Sequence, residues 1–397
     1  MSTEPTSPPE PGDGKAPLAA ELDRHRGEID AIDAEILHLV NRRLAVAARI
    51  GAVKKRLAAG VLDTGREIRV FRRLAELNRG RLLPTPSLLR LFAEVVAAAR
   101  RVQERPLPGE PHSPPPAVFA VFGDPVGHSL SPAMHNFAFA ACGFNGVYLA
   151  VRTRDIGLAV RGMKALGLRG ASVTLPHKEA VMAHLDAVDP TAQAIKAVNT
   201  LVNADGRIEG LNTDGAGAVQ ALREKTPIAG SSVAVLGAGG AARAVVHAVC
   251  AEGGRVTLYN RSRARGEALA DDLGVSFRPL EEFHGRAQQV MVNTTPVGMH
   301  PHPEGTPVPA DRLTAGLTVM DIVYNPLRTR LLRESQAAGC VVIDGVAMFV
   351  TQGAMQFERW TGLKAPVAMM RLAVEAELGG APAGLREPLE EWPGRGA

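Results

Sequence analysis

The sequence predicts a two-part protein, an all-α segment followed by a longer α/β segment, and three observations predict it. A helical apolar period runs from Glu21 to about Ala59 without a proline. Six of the fourteen residues from Arg105 to Val118 are then proline. Proline fixes its own φ and has no N–H to donate, so this stretch is neither helix nor central strand and reads as a linker over 106–116. From Ala117 onward, short apolar runs alternate with helical stretches, which is the α/β pattern.

At 397 residues the chain has room for two or three domains. It contains no run of about twenty apolar residues that would span a membrane. The start, "MSTEPTSPPEPGDGKAP", lacks the apolar core of a signal peptide, so 1–20 is expected to be a disordered tail, as is 379–397. Cys142, Cys250 and Cys340 are scattered without ligand or redox spacing, which fits a reducing cytoplasm.

In the first helix Ile29, Ile32, Ile36, Leu39, Val46, Ile50 and Val53 form a seam with coiled-coil spacing. The register puts Arg43 at the missing step and Arg26 one step before Ile29. Guanidinium groups on such a face need a partner, and the seam has no carboxylate, so a bound anion would serve. The two arginines are 17 positions apart, roughly 25 Å along a helix, too far for one small ligand. An antiparallel second copy would bring its Arg26 beside Arg43, which predicts a helical homodimer with shared sites. Residues 21–105 hold 18 Lys/Arg against 11 Asp/Glu, a basic balance that suits a small polyanion. Two shorter helices follow. The second begins at "PTPS", with Thr85 as N-cap and Pro86 at the first helical position, and its apolar stripe continues onto the polar Gln103.

Through "ELDRHRGEIDAIDAEILHLVNRR", "IGAVKK", "VLDTGRE" and Gln103, the segment 21–105 resembles the all-helical chorismate mutases over their whole length. The resemblance implies a site at Arg26, Arg43, Lys54, Asp63, Arg66, Glu67 and Gln103, with Arg26 supplied by the partner chain. Arg26 and Arg43 would clamp the two carboxylates of chorismate. Lys54 and Gln103 would donate to the breaking ether oxygen, and Asp63, Arg66 and Glu67 would order the hydroxyl end. A pericyclic rearrangement needs no nucleophile or cofactor.

In the α/β segment, "SSVAVLGAGGAARAVVHAV" reads as a strand, a glycine-rich turn (Gly237, Ala238, Gly239, Gly240, Ala241) and a helix. In that context the pattern predicts a Rossmann dinucleotide-binding fold, with the pyrophosphate on the helix N-terminus. The next strand, "RVTLYN", ends in "NRSRAR" where an acidic residue would select NAD. Asn260, Arg261, Ser262 and Arg265 there favour a ribose 2′-phosphate, hence NADP.

"GDPVGHSLSP", "SVTLPHK", "AVNTL", "NTDG", "GAGGAAR", "NRSRAR" and "DGVAMFVTQGAMQFERWTG" together resemble the shikimate dehydrogenases, from 117 to about 378. The resemblance implies a shikimate-binding domain at 117–214 with 346–378, and an NADP domain at 215–345. Lys178 and Asp214 match the catalytic pair. Ser129, Ser131, Thr174, Asn199, Tyr324 and Gln352 match substrate-binding positions, and Gly345 falls at the cofactor site. Two residues depart from the pattern: Ser172 stands where asparagine is usual, and Ala347 where glycine is common. The expectation is a bifunctional enzyme of aromatic amino-acid biosynthesis. Its alternatives are a quinate or aminoshikimate dehydrogenase in the C-terminal part, or a non-catalytic dimerisation or effector-sensing module in the N-terminal part. No aromatic platform accompanies the arginines, which disfavours nucleic acid. His128, His135 and His177 lack metal-ligand spacing.

Overall fold

The computed structural model describes residues 15–58, 60, 63–80, 82–104 and 115–379. The expected linker, apart from Pro115 and Pro116, lies outside the described residues, as do most of the two expected tails. The first helix starts earlier than expected: α1 spans Lys15–Arg56, so residues 15–20 are helical rather than tail. "KAPLAAELD" has its only proline near the helix start, where a missing N–H costs nothing. α2 (Thr64–Leu77) and α3 (Thr85–Glu104) complete the helical segment.

By compactness the chain divides into two units, residues 1–63 with 95–111 and residues 64–94 with 112–397. In the first, α1 meets the C-terminal half of α3. A Cβ on Gly51 would fall 2.8 Å from the Cα of Gln103, so only glycine admits this approach. Ile29, Ile32, Ile36 and Leu39 are each more than half exposed, leaving the apolar seam of α1 as an open face.

In the second unit, β1 (Ala117–Gly123), α4 (Ser131–Cys142), β2 (Gly146–Arg152), α5 (Ile156–Ala165), β3 (Gly170–Val173), β4 (Ala187–Val188), α6 (Pro190–Ile195), β5 (Thr200–Ala204) and β6 (Arg207–Leu211) build one sheet, ordered β2-β1-β3-β5-β6-β4. It is mixed: β2, β1 and β3 are parallel, while β5 is antiparallel to both β3 and β6. Alternate residues of β1 feed opposite cores, Phe119 and Val121 on one face, Ala120 and Phe122 on the other.

After α7 (Asp214–Arg223) come β7 (Ser232–Leu236), α8 (Gly240–Ala251), β8 (Arg255–Asn260), α9 (Arg263–Leu273), β9 (Ser276–Pro279), β10 (Val290–Asn293), β11 (Thr318–Asp321), α10 (Arg330–Ala337) and β12 (Val341–Ile343). This sheet is all parallel in the order β12-β11-β10-β7-β8-β9, the doubly wound Rossmann arrangement with its switch point between β7 and β10. Both faces of β7 are buried, which is why its sequence is an unbroken apolar run. α11 (Gly345–Thr361) and α12 (Val367–Glu377) return to the first sheet. Asp344 caps α11 through Ala347 N and is also gripped by Arg371 of α12 at 2.7 Å, fixing both helices together. Phe71 of α2 packs edge-on against Phe137 of α4, their centroids 5.0 Å apart. No helix among the described residues is long and apolar enough to cross a membrane.

Candidate active site

Lys178 and Asp214 are 36 positions apart in sequence, yet Lys178 Nζ donates to Asp214 Oδ2 at 2.5 Å. Lys178 follows β3, and its carbonyl is held by Val198 N at 2.8 Å. Asp214 sits at the first position of α7. There its side chain lies at the positive end of the helix dipole. Asn199 Nδ2 reaches Asp214 Oδ1 at 2.8 Å and lies 3.4 Å from Gln352 Oε1. Thr213 N and its hydroxyl engage Asn199 Oδ1, at 2.9 and 3.3 Å. The pair thus joins a half-buried lysine to a buried carboxylate that is held from both sides.

Among the described residues, Ser129, Ser131, Thr174 and Tyr324 are not hydrogen-bonded to this couple. Ser131 is the first residue of α4, and its N–H bonds to Ser129 Oγ at 3.3 Å. Thr174 extends β3 through Phe122 O at 2.9 Å. Tyr324 stacks on Phe349 of α11 at 4.7 Å, and burial raises its phenol pKa. Gly345 opens α11 where a Cβ would lie 2.5 Å from the Val323 carbonyl, so backbone packing already demands glycine.

The glycine-rich turn joins β7 to α8 at the switch point. Gly237 has φ +115°, and a Cβ there would press on Thr294 Oγ1 at 2.6 Å. Ala238 and Ala241 flank the turn, and a Cβ on Gly239 or Gly240 would meet only open space at the N-terminus of α8. That bare cradle fits a pyrophosphate. At the end of β8, Asn260 Nδ2 bonds Ser262 O at 2.8 Å. Arg263 pairs with Glu267, whereas Arg261 and Arg265 are exposed with no carboxylate partner among the described residues. Two uncommitted guanidinium groups fit a further phosphate.

In the helical segment, Arg43 Nη1 donates to Val95 O at 3.3 Å. Gln103 Nε2 donates to Ala99 O at 3.1 Å, and its Oε1 is buried without a hydrogen-bond partner. Lys54 is half-buried, Asp63 and Arg66 are exposed, and Glu67 lies in the first turn of α2. Arg26 is exposed and pairs with Asp23 at 3.1 Å.

Residues 25–104 match the family model described as chorismate mutase type II. Residues 121–201 match the shikimate dehydrogenase substrate binding domain, 220–298 shikimate/quinate 5-dehydrogenase, and 345–375 the shikimate 5′-dehydrogenase C-terminal domain. The NADP(+) shikimate dehydrogenase of Methanosarcina acetivorans is 48% identical over 273 residues, covering 65% of this chain and 97% of that one. The chain belongs to the shikimate dehydrogenase family. The dehydrogenase part is also similar to the Thermus thermophilus shikimate 5-dehydrogenase crystallised with NADP(H) and shikimate. That likeness has a TM-score of 0.62 and 42% identity over 65% of this chain and 98% of the other. The quinate dehydrogenase of Corynebacterium glutamicum, in complex with NAD, gives 0.62 and 32% over 66% and 99%. Ahead of the dehydrogenase the chain carries its chorismate mutase segment, so one polypeptide joins an isomerase to an oxidoreductase.

Sequence reasoning missed several polar residues of the dehydrogenase site. Thr213 braces Asn199. Thr294 bonds Leu236 O at 2.6 Å, closing the floor of the glycine turn. Asp321, fully buried at the end of β11, receives Asn293 Nδ2 at 2.9 Å and Thr329 Oγ1 at 2.7 Å. The available signal was a polar residue closing an apolar strand, as in "VNTTP" and "VMDIV".

Proposed function

We propose that the C-terminal part reduces 3-dehydroshikimate to shikimate with NADPH, and that the N-terminal part rearranges chorismate to prephenate. The domain boundaries go with this reading: 21–105 for the mutase, 117–214 with 346–378 for shikimate, and 215–345 for NADP. The Lys178–Asp214 couple carries it. Lys178 is the group placed to pass a proton to the oxygen on C3, and Asp214, held by Asn199, keeps that ammonium aimed. Bound NADPH supplies the hydride. Gly237, Ala238, Gly239, Gly240 and Ala241 would take its pyrophosphate, Arg261 and Arg265 its 2′-phosphate, with Asn260, Ser262 and Gly345 around it. Ser129, Ser131, Thr174, Asn199, Tyr324 and Gln352 would hold the substrate carboxylate and hydroxyls.

For the mutase, Arg43 and a partner copy's Arg26 would clamp the carboxylates of chorismate. Lys54 and Gln103 would face the ether oxygen, and Asp63, Arg66 and Glu67 the hydroxyl end. The exposed seam of α1 supports a homodimer that covers it. A cytoplasmic setting suits both reactions.

NADPH absorbance with full-length protein and shikimate, with quinate and NAD+ as paired controls, tests the dehydrogenase. NADP+-dependent oxidation of shikimate alone is expected. A preference for quinate would favour the second reading, which Ser172 and the likeness to a quinate dehydrogenase motivate. Prephenate formation from chorismate, abolished by Arg43→Ala, tests the mutase. Unchanged turnover in that variant would make the helical segment a non-catalytic module.

A further inference from the structure

Ser172, standing where the family pattern has asparagine, is buried at 7% exposure, and its hydroxyl has two protein partners. Tyr148 OH lies 2.6 Å away and Gln356 Oε1 2.9 Å. Gln356 is buried at 1% exposure. Its Nε2 lies 2.9 Å from Thr200 Oγ1 and 3.3 Å from the Asn199 carbonyl. A carbonyl only accepts, so Nε2 is the atom on that side and Oε1 faces Ser172.

That orientation sets the protons of the hydroxyls on either side of Gln356. Ser172 must donate to Gln356, so it accepts from Tyr148. Thr200 accepts from Gln356, so its own proton goes to Asn199 Oδ1, 2.7 Å away. Asn199 Oδ1 takes this proton beside the one from Thr213 N, so its amide Nδ2 faces Asp214 Oδ1, and Lys178 takes the other carboxylate oxygen.

We propose that Gln356 is a positioning residue of the dehydrogenase: it sets a one-way hydrogen-bond relay, Tyr148 to Ser172 to Gln356 to Thr200 to Asn199 to Asp214, that locks the carboxylate in register with Lys178. This rests on Lys178 and Asp214 being the catalytic pair. It also assigns Ser172 a different task from an asparagine at its position. Its only proton is committed to Gln356, so toward a substrate hydroxyl it can accept but not donate.

The relay predicts a pH signature that a packing role would not produce. Gln356→Met removes both arms. Gln356→Glu keeps them only while the new carboxyl is protonated, because a carboxylate cannot donate to Thr200. The titratable neighbours are His135 of α4 and Tyr148 of β2. Burial pushes His135 down to about 3, with Gln356 pulling the other way. Burial raises Tyr148 above its ordinary range, so neither changes charge between about pH 5 and 9.

The test follows shikimate oxidation by the full-length protein, each variant divided by wild type at the same pH. Gln356→Met should lower kcat about tenfold to a hundredfold, with the shikimate KM moving less than about threefold. Gln356→Glu should approach wild type toward acid pH and fall away as pH rises. A ratio flat with pH, or a wild-type kcat in Gln356→Met, overturns the relay. Lys178→Met run alongside separates the two readings. Full turnover there removes the catalytic pair itself, whereas an inactive Lys178→Met beside an active Gln356→Met removes only the relay.

Discussion

A buried carboxyl is the clearest lever on this protein at the scale of single residues. Burial pushes Asp321 up to about 6, against the pull of its hydrogen bonds to Thr329, Val323 N and Asn293. The folded state therefore binds this proton more tightly than the unfolded chain does. Its contribution to stability is full below about pH 4 and is lost as pH rises through 6. Asp321→Asn should be flat across that window and more stable than wild type at pH 7 to 8, by up to about 3 kcal/mol. Urea midpoints at pH 4.5, 6 and 8 check this, and a gap that shrinks as pH rises would refute it. The arginines after β8 make a second residue-scale prediction. Arg261→Ser with Arg265→Ser should raise the KM for NADP+ about tenfold or more while leaving that for NAD+ nearly unchanged. Equal loss with both cofactors would mean that these arginines serve the fold, not the 2′-phosphate. Both guanidinium groups can be proposed from "NRSRAR" alone, because that reading depends only on distance from the glycine turn. Gln356 and Tyr148 were not legible. Their roles arise from long-range neighbours, 184 positions between Ser172 and Gln356, and no local spacing encodes that.

Among elements, α1 shows what local pattern can and cannot specify. Its seam was readable because a step of three and four is the geometry of a helix face. Its start at Lys15 was missed because the flanking prolines masked a segment rich in alanine and leucine. The role of one of its two glycines was overlooked altogether. Gly51 in mid-helix costs about 1 kcal/mol against alanine, and what requires it is the crossing with α3 at Gln103. Gly51→Val should therefore force α3 away, shift the Gln103 amide and reduce prephenate formation at least about tenfold. Shikimate oxidation should be unchanged, since the Lys178 couple draws nothing from α1. Loss of both activities together would place the damage in folding rather than in the crossing.

For the whole molecule the outstanding physical problem is the apolar face of α1. Leu22, Ile29, Ile32, Ile36 and Leu39 each expose half or more of their surface, and burying a side chain of this kind is worth roughly 1.5–3 kcal/mol. Such a face is stable in water only when covered. A second α1 running antiparallel would cover it with its own seam, as the proposed homodimer requires, since a two-fold interface pairs a patch with itself. The same pairing would bring Arg26, exposed on its own chain, into reach of a second copy's Arg43. Ile32→Asp combined with Ile36→Asp places charges at the centre of that interface. In an isolated chain both positions already face water, so the helix itself should tolerate the change. Sedimentation should then show the mass halved. Prephenate formation should fall by at least about a thousandfold, because removing a charge clamp from a buried site costs several kcal/mol. Shikimate oxidation should persist near the wild-type rate, since none of its polar network lies on α1. A variant that keeps the wild-type mass would show that this face does not hold two copies together. A monomer with undiminished mutase activity would show that Arg26 is not shared between chains.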